Sequence, residues 1–166
     1  MLSITIGPMF SGKTTSLIYH YKNNKNNKLV IDYDIDNDKV YLETHDNIKI
    51  PCVKAIKLLN VEVSSLIDAI YINEAQFFED LNIFVNKMLF IKKDIYIYGL
   101  DGDYKQEKIG NIIDLIPICD NITKLNGNCY NCKKLSIFSK RIINNKEQYL
   151  PDENYYLPAC RECINI

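Results

Sequence analysis

Residues 7–14 read Gly7-Pro8-Met9-Phe10-Ser11-Gly12-Lys13-Thr14. The stretch before them, Leu2-Ser3-Ile4-Thr5-Ile6, is apolar and β-prone, and Thr14 to about Lys22 reads as a helix, with Leu17, Ile18 and Tyr21 on one face. The eight residues fit G-x-x-x-x-G-K-[ST] in full, in the strand–loop–helix setting that the pattern needs. Glycines at 7 and 12 let the backbone curl so that its N–H groups converge on phosphate oxygens. The start of the helix adds the positive end of its dipole. Lys13 is then expected to reach the terminal phosphates, and the Thr14 hydroxyl to ligate Mg²⁺. The chain is therefore expected to bind a nucleoside triphosphate.

Working outward, the pattern alternates. Lys28 to Tyr33 and Ala69 to Asn73 read as strands, and the second is apolar throughout, as for a strand covered on both faces. Glu79 to Lys92 reads as a helix, with Leu81, Phe84, Val85, Met88 and Leu89 on one side. Asp94 to Gly99 is a further strand. Residues 34–48 are polar and acidic and are expected to be mobile. Strands alternating with helices imply an α/β fold with a mainly parallel sheet, a P-loop NTPase-like core over residues 1–120. The pattern changes after Pro117, and residues 121–166 are expected to form a small second lobe.

Bulk properties exclude several classes. The 166 residues are 47% hydrophobic with a net charge of −1, so no basic field draws the chain to nucleic acid or to an anionic membrane. No targeting segment and no apolar run of spanning length is visible, which points to a soluble, cytoplasmic protein. In a reducing compartment the cysteines are thiols or metal ligands. Cys129-x2-Cys132 and Cys160-x2-Cys163 form two knuckles suited to a closed, tetrahedral, structural Zn²⁺ site. Cys52 and Cys119 lack such partners and are expected to be buried as small apolar groups.

Two further segments follow strands. In Asn73-Glu74-Ala75-Gln76, Glu74 falls at the carboxyl end of a strand, where an open parallel sheet gathers its ligands. A carboxylate there can take a proton from an attacking hydroxyl or hold a magnesium shell. Asn73 and Gln76 are assigned to the same ATP site. Gly99-Leu100-Asp101-Gly102-Asp103-Tyr104 favours a tight turn and offers Tyr104 as a stacking face.

Taken together, the chain resembles the type II thymidine kinases, the cytosolic, bacterial and poxviral family. The resemblance rests on GPMFSGKT at 7–14, THD at 44–46, NEAQFF at 73–78, GLDGDY at 99–104, LIP at 115–117, KL at 124–125, CYNC at 129–132, FSKR at 138–141 and CREC at 160–163. It implies transfer of the ATP γ-phosphate to the 5′-hydroxyl of thymidine or deoxyuridine, with Mg²⁺ and a structural Zn²⁺. It also implies a homotetramer and feedback inhibition by dTTP. By position, it makes Glu74 the general base and brings Asp36 toward the 5′-hydroxyl and the metal. It lines the thymine pocket with Met9, Leu100, Tyr104, Ile109 and Tyr156. It makes Gln148, Tyr149, Leu150, Pro151 and Asp152 a lasso loop whose backbone grips the base edge. The chain departs from the family at Asn73, where Asp is usual, and at Asp38, where Arg is usual. Ile109 stands for a Phe, and Pro151-Asp152 for a Gly-Gly pair. Two rival readings are a kinase relative with weakened turnover and an NTPase with a nucleic-acid-binding zinc ribbon. The mixed charges of the ribbon, Lys133, Lys134, Lys140 and Arg141 against Glu147, Asp152, Glu153 and Glu162, disfavour the second.

Overall fold

The computed structural model describes residues 1–34, 40–44 and 47–165. Six strands make the central sheet: β1 (Leu2–Ile6), β2 (Lys28–Tyr33), β5 (Val53–Ala55), β6 (Ala69–Asn73), β7 (Asp94–Gly99) and β8 (Asn121–Lys124). Their order is β5-β2-β6-β7-β1-β8, and every pairing is parallel. All carboxyl ends therefore lie on one edge.

Two layers cover the sheet. β6 shows why its sequence is apolar throughout: Ile70 and Ile72 pack on one face, Ala69 and Tyr71 on the other. Helix α2 (Leu81–Phe90) buries Leu81, Phe84, Val85 and Met88 on the first face. Helix α1 (Lys13–Asn23) buries Leu17 and Ile18 on the second. Each such side chain contributes about 1.5–3 kcal/mol on burial, so this sandwich fixes the edge from which the loops project. The last carbonyls of α1 are satisfied locally, because Lys28 Nζ donates to Tyr21 O at 2.7 Å and to Asn24 O at 2.6 Å.

Several boundaries differ from expectation. α1 begins at Lys13, one residue early, and α2 is shorter than Glu79 to Lys92: at its start Asp80 accepts from the Leu58 and Leu59 N–H groups, and beyond Phe90 the backbone turns left-handed at Lys92. Within the stretch expected to be mobile lies β3 (Tyr41–Glu43), which pairs antiparallel with β4 (Lys49–Pro51) just after it. These strands and β5 are three residues each, too short to show a period. Residues 121–124, expected in the second lobe, form β8 at the edge of the main sheet. Cys52 is buried as expected, whereas Cys119 is only partly so.

Beyond β8 lie two small ribbons, β9 (Gly127–Asn128) with β10 (Leu135–Ser136), and β11 (Phe138–Arg141) with β12 (Tyr156–Ala159). The β11–β12 pair closes the base of the loop 142–155 by registering Arg141 opposite Tyr156. No helix among the described residues is long and apolar enough to cross a membrane.

Candidate active site

The loop between β1 and α1 opens the site. Its residues Met9 to Thr15 line a cleft of about 870 Å³ at the carboxyl edge of the sheet. Gly12 has φ 80, a left-handed conformation that suits glycine, and a Cβ on Gly7 would meet Leu125 O at 2.5 Å. Ser11 Oγ and Lys13 Nζ each donate to Pro8 O at 2.8 Å. Burial pulls the Lys13 ammonium below the usual lysine range, while the charges of Glu74 and Asp101 pull the other way. A desolvated cation beside curled backbone is a site for an anion.

Glu74 stands across the cleft, directly after β6. Its backbone is also left-handed, φ 49, which is costly for a residue with a side chain and is typical of functional positions. Gln76 Nε2 donates to Glu74 Oε2 at 2.7 Å. Tyr149 comes from the loop 142–155, with its phenol pushed up to about 12, first by burial and then by the Glu74 charge. Its ring meets Phe77 at 4.4 Å between centroids, and Phe77 meets Tyr33 at 5.2 Å. These rings give the cleft an aromatic wall.

The parallel register puts Asp32 beside Asn73. Asn73 Nδ2 donates to Asp32 Oδ1 at 2.8 Å, and Lys54 of β5 donates to Asp32 Oδ2 at 2.6 Å. Asp34 lies 3.3 Å from the same ammonium. Asp32 and Asn73 both line the cleft. Hard oxygen donors from Thr14, Asn73 and Asp32 thus face one space and suit a partly hydrated Mg²⁺. Asp36, assigned to this metal by resemblance, lies outside the described residues, as do Asp38 and the His45 and Asp46 of THD.

The loop 142–155 is held by one arginine. Arg141 donates to the carbonyls of Asn145 at 3.3 Å, Gln148 at 3.1 Å and Glu147, and to Tyr156 Oη at 2.6 Å. Its guanidinium lies 3.7 Å from the centre of the Tyr104 ring. Tyr156 Oη also accepts from Leu150 N–H at 2.8 Å. Gln148 Nε2 donates to Asp103 Oδ2 at 3.1 Å, tying the loop to the turn after β7. Asp152 Oδ1 accepts from Asn154 N–H and caps a short turn.

The four Sγ atoms of Cys129, Cys132, Cys160 and Cys163 all lie within 4.8 Å of one another. Burial works against the Cys129 thiolate, but backbone N–H groups of Cys132, Cys160 and Asn131 outweigh it and hold that thiol down at about 6. Four convergent sulfurs, one of them readily ionised, fit a tetrahedral Zn²⁺. This lobe touches the anion loop directly: Met9 N–H donates to Ser139 Oγ of β11 at 2.9 Å.

A family model described as thymidine kinase matches residues 1–164. The chain belongs to the thymidine kinase family. It is 36% identical over 170 residues to the thymidine kinase of Myxoma virus (strain Uriarra), covering 98% of this chain and 94% of that one. It is 35% identical over 170 residues to the thymidine kinase of Variola virus, covering 98% and 95%. Against the thymidine kinase of Oryza sativa subsp. japonica it is 35% identical over 177 residues, covering 97% of this chain but 65% of the rice protein's length.

Within this family setting, the expected site residues divide. The cleft is lined by Met9, Phe10, Ser11, Gly12, Lys13, Thr14, Asn73, Glu74, Leu100 and Tyr149. Gly7 and Pro8 support the loop from behind. Gln76, Ile109, Leu150 and Tyr156 are buried. Arg141 covers one face of Tyr104, the residue expected to stack on a base. Leu150 N–H and the Gln148 carbonyl, expected to grip a base edge, bond within the protein. Sequence reasoning missed Asp32, Lys54, Ser139 and Arg141. The last two lie inside the quoted FSKR and were legible only as a motif.

Proposed function

We propose that the chain phosphorylates thymidine, or deoxyuridine, at the 5′-hydroxyl with ATP as donor. The observation that carries this is the pairing, in one cleft, of a desolvated lysine on a curled anion loop with a carboxylate at the end of the neighbouring strand.

The backbone of residues 7–14 and Lys13 Nζ receive the β- and γ-phosphates of ATP. Glu74 accepts the proton of the 5′-hydroxyl as its oxygen attacks the γ-phosphorus. The bond to the β-bridging oxygen breaks, and ADP leaves. Thr14 and Asn73, with Asp36, would hold Mg²⁺, which would supply charge neutralisation on the phosphates. Such chemistry needs mainly positioning and electrostatic stabilisation. The main sheet and its loops serve the nucleotide and, through Met9, Leu100, Tyr104 and Ile109, part of the base pocket. The lobe beyond β8 serves the nucleoside, with Gln148 to Asp152 as a lasso lid clamped by the Zn²⁺ lobe and Tyr156 completing the base pocket. The assembly is a cytoplasmic homotetramer inhibited by dTTP.

The test is phosphate transfer from γ-labelled ATP to a nucleoside panel, with Lys13→Ala alongside. Labelled thymidine monophosphate from the parent, and a loss of several orders of magnitude in Lys13→Ala, support the reading. Transfer unchanged in Lys13→Ala removes the loop from the mechanism.

A further inference from the structure

The sequence pattern groups Gln76 with the ATP ligands, but its side chain is only 4% exposed and does not line the cleft. Its amide is engaged at both ends. Nε2 donates to Glu74 Oε2 at 2.7 Å, and Oε1 accepts from Leu100 N–H at 3.0 Å. The second bond fixes the first. A backbone N–H can only donate, so the amide oxygen must face Leu100 and the NH₂ group must face the carboxylate. The backbone around Gln76 is equally constrained. A Cβ on Gly110 would lie 2.0 Å from Gln76 O, and one on Gly99 would lie 2.3 Å from its Oε1. Gln76 thus spans from the end of β6 to the end of the neighbouring β7, joining the carboxylate that faces the phosphate loop to Leu100.

We infer that Gln76 is a positioning residue for Glu74, holding one carboxylate oxygen so that the other faces the cleft, and is not a nucleotide ligand. This rests on the proposed role of Glu74 as base. The need for such a strut is visible in the backbone, since Glu74 sits in a left-handed conformation that its neighbours must stabilise. Among the described residues, Lys13 from α1 and Tyr149 from the loop 142–155 interact electrostatically with Glu74, and Asp32, Glu43 and Glu153 line the same cleft. Neither Lys13 nor Tyr149 fixes the rotamer through a hydrogen bond among those seen.

Two variants and one control test it, by the pH dependence of kcat/KM for thymidine and by the ATP dissociation constant. Gln76→Glu is nearly isosteric and keeps an acceptor for Leu100, but sets a second carboxylate against Glu74, so the two must share a proton at low pH. The acid limb should move up by about one unit or more, with activity recovering as pH rises. Gln76→Leu should lose about 10- to 100-fold in kcat, the worth of a hydrogen bond to a charged group. ATP affinity should stay within about twofold in both, for lack of contact with the nucleotide. An unmoved acid limb in Gln76→Glu overturns the inference, as does weaker ATP binding with kcat preserved. Glu74→Gln separates the two readings. If it is slow while the Gln76→Glu limb is unmoved, only the role of Gln76 fails. If it is as fast as the parent, the base reading fails first.

Discussion

Replacing Arg141 by Lys keeps the charge and removes the fork. Arg141 serves three carbonyls in residues 145–148 and the Tyr156 hydroxyl while its guanidinium lies over the Tyr104 ring. A lysine ammonium can reach one or two of these acceptors and cannot stack in the same way. Two or three hydrogen bonds are therefore lost. The carbonyls regain water when the loop lifts, so each bond counts at its net worth of about 0.5–1.5 kcal/mol. The sum, about 1–4.5 kcal/mol, is the cost of ordering the loop afresh when a nucleoside binds. It corresponds to a roughly 5- to 2,000-fold weaker thymidine affinity. Calorimetric titration with thymidine measures it, and hydrogen exchange across 142–155 should rise in parallel. ATP affinity and zinc content should not change. A thymidine dissociation constant within twofold of the parent would show that the loop is ordered by something other than Arg141.

Lys54→Met leaves the buried Asp32 carboxylate with only the Asn73 amide. Breaking such a pair costs about 3–5 kcal/mol when fully buried, and about 2–4 kcal/mol here because Lys54 keeps 16% exposure. Urea unfolding reads it, and adding Asp32→Asn should recover most of the loss; a cost under about 1 kcal/mol would contradict the buried-network reading. Burial raises the Cys52 thiol to about 11. The unfolded thiol ionises near pH ~8.5 while the folded one stays protonated. Its contribution to stability is therefore complete below that pH and is lost as pH rises toward about 11. Cys52→Ala should flatten this alkaline slope in urea midpoints, and an unchanged slope would assign it elsewhere. Removing zinc with a chelator should increase exchange in 142–155 before it affects β1, β6 or β7, since the four thiols anchor the far ends of the strands that bear the loop. Simultaneous loss of protection in the main sheet would contradict that order.

What was legible in the sequence was short-range. The 7–14 loop announces itself because glycines, lysine and threonine must stand at fixed offsets between a strand and a helix. Glu74 follows from strand topology, and the four cysteines from their spacing. The rest depends on register and on contacts between distant segments. Asp32, Asn73 and Lys54 meet only because β2 lies between β5 and β6. That the Gln76 amide is engaged at both ends, by Glu74 and by Leu100 N–H, shows only in the fold. Nor does the sequence show that Arg141, brought round by the β11–β12 ribbon, lies over one face of Tyr104. β3, β4 and β5 were too short to register as periodic, and β8 is exposed along its length, so its sequence lacks the apolar signature of the other sheet strands.

The most direct test is a single-turnover measurement of γ-phosphate transfer to thymidine by the parent and by Glu74→Gln, each saturated with ATP and Mg²⁺. Glutamine preserves the shape of the side chain and removes only its capacity to accept a proton. The parent should form thymidine 5′-monophosphate, and Glu74→Gln should do so slower by about two to four orders of magnitude, with ATP affinity retained. A variant as fast as the parent, or a parent that binds ATP and transfers nothing to thymidine, would contradict the account.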